Sequence, residues 1–93
     1  MSRMFCGAFS FTSDLSNWNV RKVNEMDYMF AGAVSFNSDL SKWNVKSLSY
    51  TERMFMGAKS FNSDLSNWNV NNLKEMREMF DNSGVTNIPR WYN

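Results

Sequence analysis

The chain has 93 residues, 43% of them hydrophobic and 16% aromatic, with a net charge of +1. That length holds one domain with material for a core, and the charge balance excludes the basic excess of a nucleic-acid binder or a polybasic membrane-surface segment. One cysteine and no histidine exclude an intrachain disulfide, histidine-based zinc sites and histidine acid–base catalysis.

The N-terminal segment "MSRMFCGAFSF" lacks a sustained apolar stretch and reads as no signal peptide. No apolar run approaches the roughly 20 residues of a membrane span, so no direct membrane insertion is expected. The dominant feature is a period of 25 residues. Met4-Phe5, Met29-Phe30, Met54-Phe55 and Met79-Phe80 recur at that spacing. So do Gly7, Gly32 and Gly57; Leu15, Leu40 and Leu65; and Trp18, Trp43 and Trp68. Repeats of this length normally bury their apolar faces against the neighbouring unit.

The division is a single domain over 1–93, with a partial unit at 1–20, units at 21–45 and 46–70, and a degenerate capping unit at 71–93. Met1 aligns with Met26, so the first unit begins in mid-register and reads as a cut. In the last unit a two-residue deletion aligns Ile88 with Leu65 and Trp91 with Trp68.

Within "VRKVNEMDYMF" the apolar residues Val23, Met26, Met29 and Phe30 follow one stripe of a short helix. Leu48, Met54 and Phe55 repeat it, with Thr51 in place of the first methionine, and so do Leu73, Met76, Met79 and Phe80. Gly32 and Gly57 are placed to end such helices in the left-handed conformation. The second half, "SFNSDLSKWNV", is rich in turn-forming Ser, Asn and Asp. It predicts a short strand or extended segment over roughly 39–43. Strands stack about 4.8 Å apart and helices 8–10 Å apart, so an array with strands inside and helices outside must bend.

The string M-x-x-M-F-x-G-A-x-S-F-N-x-D-L-S-x-W-N-V resembles the repeat of the BspA-like leucine-rich-repeat surface proteins. It also resembles the mycoplasma-lipoprotein type of domain of unknown function. The resemblance implies a leucine-rich-repeat-like α/β solenoid, a right-handed coil with short parallel strands on one side and short helices on the other. It further implies a cell-surface or extracellular setting, protein binding and no enzymatic activity; no lipid-attachment cysteine is visible, since Cys6 lies inside the first unit.

The candidate functional features follow from the register. The tryptophans read as core packing, with an aromatic platform for sugars as the alternative. Asp14, Asp39 and Asp64 read as turn acceptors in "SDLS", with a calcium ladder as the alternative. Asn19, Asn44 and Asn69 read as backbone-bonding ladder residues or helix N-caps, and Cys6 as a small buried hydrophobe, with a reactive thiol as the alternative. The serines lack a base, so no nucleophile is expected. Glu52 beside Arg77 and Arg53 beside Glu78 are complementary pairs across units, and Arg21, Lys22, Lys42 and Lys46 read as a solvated basic face. The expected function is a non-enzymatic scaffold for protein interaction or packing in a larger assembly, without cofactor, metal or nucleic acid; a carbohydrate or small-ligand module is the alternative. The candidate contact surface is Met1, Met4, Phe5, Arg21, Lys46, Tyr50, Tyr28 and Arg53. A protein partner or a second copy is expected against the N-terminal face, where Met1, Met4 and Phe5 open a unit with no predecessor.

Overall fold

The computed structural model describes residues 2–92. The expected α/β solenoid is not what the chain adopts. Among the described residues there is no helix, and extended structure is reduced to two isolated parallel bridges, Glu25 with Tyr50 and Tyr50 with Glu75. The rest is turns and loops within an envelope of 31 × 26 × 19 Å.

The predicted helices fail for a geometric reason. Over 26–33 the backbone N–H groups alternate between two duties. Those of Met29, Ala31 and Ala33 close tight turns on the carbonyls of Met26, Tyr28 and Phe30. Those of Met26, Tyr28, Phe30 and Gly32 leave the unit and donate to Tyr50, Glu52, Met54 and Met56 at 2.8–2.9 Å. Beyond its first turn an α-helix consumes its N–H donors internally and leaves none for a neighbouring unit. Neighbouring units also stand too close for helices: the rings of Phe30 and Phe55 are 5.6 Å apart, whereas packed helices need about 8–10 Å.

The alternation requires left-handed residues at fixed places. Gly7, Gly32 and Gly57 all have φ of 74°, and Asn82 takes the same place at 57°. A second left-handed position is filled by Arg3, Tyr28, Arg53 and Glu78, at φ of 51–61°. A positive φ at the third residue of a tight turn is the type II requirement, which glycine meets without strain and other residues meet at a cost. Hydrogen bonds to the next unit hold Arg3, Tyr28 and Arg53 in this conformation.

The predicted strand at 39–43 is likewise replaced by a turn. Asp39 Oδ1 accepts the Ser41 N–H at 3.0 Å, and the Leu40 carbonyl accepts the Trp43 N–H at 3.1 Å. The same pair of bonds forms at Asp14 with Leu15 and at Asp64 with Leu65. Asn19, Asn44 and Asn69 accept the N–H two residues on, from Arg21, Lys46 and Asn71.

Residues one period apart therefore lie side by side, and the core is built of columns. Phe5, Phe30, Phe55 and Phe80 stack at 5.6–5.8 Å. Phe11, Phe36 and Phe61 form a second column at 5.6–5.7 Å, and within each unit the two phenylalanines are 4.2 Å apart. Trp43, Trp68 and Trp91 form a third at 6.2–6.4 Å. Leu15, Leu40 and Leu65 are buried beside them, as are Met29, Met54 and Met79. Thr51, at a methionine position, is also fully buried, and its hydroxyl donates to the Glu75 carbonyl at 3.2 Å. That bond removes the cost of a polar group in the core.

The tryptophans clamp unit to unit. The indole N–H of Trp43 donates to the Leu15 carbonyl at 2.9 Å, that of Trp68 to Leu40 at 2.8 Å, and that of Trp91 to Leu65 at 3.0 Å. Replacing Trp68 by phenylalanine removes one such bond and part of the stack. The Leu40 carbonyl keeps the Trp43 N–H, so the expected cost is about 1–2 kcal/mol, read as a lowered midpoint in urea with unchanged slope.

Candidate functional site

The columns end differently at the two ends of the molecule. At the C-terminal end Tyr92 lies edge-on to Phe80, 5.1 Å away at 82°, and Phe80 is only 6% exposed. Trp91 covers Trp68, and Val85 is buried one register step beyond Phe61. The register there is shortened: Thr86 donates to Asn62 Oδ1 as Asn62 donates to Asn37 Oδ1, but across 24 residues instead of 25. Ile88, aligned with Leu65 in the sequence, is 45% exposed and does not join the leucine column.

At the N-terminal end Phe5 and Phe11 are half-buried, and Met4, Phe9 and Trp18 are exposed. Trp18 touches Phe5 at 5.8 Å. The backbone row is open as well. The N–H groups of Arg3, Phe5 and Gly7 donate inward to Asp27, Met29 and Ala31. The carbonyls one period earlier than those acceptors belong to Ser2, Met4 and Cys6, and none of them accepts a hydrogen bond among the described residues.

The sequence-predicted contact residues do not converge. Met1 lies outside the described residues. Met4 and Phe5 belong to the N-terminal end. Arg21 and Lys46 are exposed on a column shared with Asn71, and the Asn72 amide donates to the Lys46 carbonyl at 2.6 Å. Tyr50 sits in the column of isolated bridges. Tyr28 and Arg53 stand in the left-handed column: the Arg3 guanidinium is 4.3 Å from the Tyr28 ring centre, and Arg53 donates to the Tyr28 hydroxyl and pairs with Glu78 at 2.6 Å. Tyr28 first and Glu78 second hold the Arg53 guanidinium above its ordinary pKa. The other predicted pair, Glu52 with Arg77, forms no ion pair among the described residues: the Glu52 N–H goes to Asp27 Oδ1 and the Arg77 N–H to Glu75 Oε1.

Cys6 is exposed, against the expectation of burial. It lines a shallow groove of about 470 Å³ floored by Gly7, Gly32 and Gly57 and edged by Tyr28 and Met56. The sequence carries a signal for this groove. Cys6, Ala31 and Met56 vary at one position beside Gly7, Gly32 and Gly57, so the side chain over that backbone floor is not fixed by packing.

Asp39 and Asp64 form a polar ledge with Asn37, Ser38, Asn62 and Ser63. Asp14 Oδ1 accepts the Ser16 N–H and the Ser38 hydroxyl, and Ser38 Oγ in turn accepts the Leu15 N–H at 3.0 Å. Asp39, Ser41 and Ser63 repeat the arrangement around Leu40. Among the described residues no three His, Cys, Asp or Glu side chains come together as metal ligands. Ser16 holds the Asp14 carboxyl below its ordinary pKa, and Ser41 and Ser66 do so for Asp39 and Asp64. A carboxyl with a depressed folded-state pKa contributes stability above its unfolded value, near 3.9, and loses it as the pH falls through the folded value. The thermal midpoint is therefore expected to fall on acidification below about pH 4, and Asp→Asn substitution at 14, 39 and 64 to flatten that fall.

No helix among the described residues is long and apolar enough to cross a membrane. A family model described as Mycoplasma protein of unknown function, DUF285, matches residues 1–91. No curated protein and no solved structure matches the chain.

Proposed function

The chain belongs to the DUF285 family of Mycoplasma proteins of unknown function, and from its geometry we propose a non-enzymatic scaffold that binds a protein through its N-terminal end. The observation that carries this is the asymmetry of the ends. Tyr92 closes the phenylalanine column over Phe80, whereas Phe5, Phe11, Met4 and Trp18 leave apolar area open at the other end. Contiguous exposed apolar surface of that kind marks contact sites. The scaffold reading also agrees with where the conspicuous side chains are spent. Trp43 and Trp68 are buried with their indole N–H groups bonded, so neither offers a free face for a sugar ring. Asp14 and Asp39 are engaged by serines of their own and the next unit, and Asp64 by Ser66 of its own.

Cell-surface placement joins this proposal through the likeness of the repeat string to the BspA-like leucine-rich-repeat proteins. The test places a photoreactive benzophenone side chain at Met4 or at Ile88 in cells that make the protein. A discrete protein adduct from Met4 and none from Ile88 is expected. No adduct from Met4, or the same adducts from both, contradicts the reading.

A further inference from the structure

We infer that a basic, amide-lined face centred on Arg21, Asn44 and Lys46 binds an acidic polysaccharide, a sugar chain carrying sulfate or carboxylate groups. None of its side chains belongs to the apolar N-terminal end, the tryptophan column or the aspartate turns.

The face follows from alternation of side chains in and out along an extended backbone. Trp43 and Val45 are buried, and Lys42, Asn44 and Lys46 between and beside them are exposed. One period earlier Val20 is buried and Asn19 and Arg21 are exposed. Arg21 and Lys46 are thus neighbours in one column, in a fold whose columns repeat at 5.6 Å between Phe30 and Phe55. Lys22 follows Arg21 in the chain and is exposed as well. The segments 16–22, 41–47 and 66–72 contain no Asp or Glu.

Like charges at neighbouring positions repel. Other columns answer this internally. Arg53 meets Glu78 at 2.6 Å, Tyr50 stands between Glu25 and Glu75, and serine hydroxyls donate to Asp14 and Asp39. Lys42 has Asp39 nearby. Arg21, Lys22 and Lys46 form no ion pair among the described residues. The asparagines add donors. Asn19 and Asn44 accept the Arg21 and Lys46 N–H groups through Oδ1, which fixes the amide orientation. Their Nδ2 groups have no acceptor among the described residues. The face therefore presents cations and N–H donors together, with no carboxylate among them.

The ligand this fits is anionic, rich in acceptors and without apolar demands, which describes a sulfated or uronic sugar chain. Val20, Trp43 and Val45 beneath the cations are buried, so a protein partner finds no apolar anchor there. A recess of about 180 Å³ between Asn19, Arg21, Lys22 and Val23 admits a single anionic group from a chain lying on the face. A nucleic acid asks for a broader basic field than a chain of net charge +1 supplies.

The test titrates the full ¹⁵N-labelled chain with a heparin-derived octasaccharide at physiological ionic strength. Saturable movement of the Asn19 and Asn44 side-chain amides and of the Arg21 and Lys46 backbone amides is expected, weakening as salt is raised. The double variant Arg21→Gln, Lys46→Gln should bind about tenfold more weakly. Its thermal midpoint should equal or exceed the parent's, because a like-charge pair is removed. Lys59→Gln with Arg90→Gln removes two exposed cations elsewhere and should leave binding unchanged. Absence of saturable movement overturns the proposal, and so does an equal loss in the two double variants, which would make net charge the cause. Tighter binding of polyglutamate, or of vesicles containing phosphatidylserine, at the same concentration of anionic groups overturns it in favour of an acidic protein or a bilayer.

Discussion

Phe55→Ala is expected to lower the unfolding free energy by about 3–5 kcal/mol, the range for truncating a fully buried phenylalanine. Domains of this size are stable by only about 5–15 kcal/mol, so the variant should be marginal at room temperature. The size of the effect follows from position. Phe55 is fully buried and touches the rings of Phe30, Phe61 and Phe80 at once. Its loss interrupts the central column and leaves a gap that no neighbour is long enough to fill. Phe9→Ala, at a side chain 66% exposed, should stay within about 0.5 kcal/mol of the parent. Urea denaturation of the two variants gives the comparison. Equal effects would mean that the phenylalanines do not form columns.

Gly84→Ala is the second large effect, expected to cost about 1–3 kcal/mol or more through overpacking. Gly84 donates to the Ala58 carbonyl at 3.0 Å, and an added methyl would sit 2.1 Å from the Lys59 carbonyl oxygen and 2.9 Å from that of Phe61. All three groups are backbone and cannot swing aside. The last unit would have to lift away from its neighbour, so emission of Trp91 should move toward that of exposed indole. Gly57→Ala makes the informative contrast. There the added methyl has room, 3.7 Å from Gly32, and the cost is conformational because φ is 74°, about 1–2 kcal/mol. The ordering, with Gly84 above Gly57, runs against any expectation based on φ alone.

Much of the packing was legible in the residues. The 25-residue spacing of Phe, Leu, Met and Trp places side chains of one kind on one column, and the structure buries Leu40, Trp43, Phe30 and Phe55 accordingly. The aspartate and asparagine turns were also legible, because a short polar side chain two residues before an N–H has few other uses in such a stretch. The local backbone was not. Met26, Met29 and Phe30 at intervals of three and four match a helical stripe, but consecutive tight turns that close every third residue generate the same intervals. The turns of Met26 to Met29, Phe30 to Ala33 and Ala33 to Phe36 do so here. What separates the two is the spacing between units, and a single sequence does not print it. The phenylalanines held the clue, since rings that stack directly leave no space for helices between them.

The candidate site was legible in part. The apolar character of Met4 and Phe5 points to the N-terminal end, but Arg21, Lys46, Tyr50, Tyr28 and Arg53 are marked only by the variation of their positions from unit to unit. Variation marks exposure on any column and carries no information on which columns adjoin. The open acceptor row at Ser2, Met4 and Cys6 was invisible, because it is a property of backbone direction and not of side chains.

Scalar coupling across the backbone hydrogen bonds measures directly which carbonyl each N–H group reaches. In a labelled sample the Phe30 amide nitrogen should couple to the Met54 carbonyl carbon, and the Gly32 nitrogen to that of Met56. Coupling of Phe30 to Met26 instead would restore the helix and contradict the account.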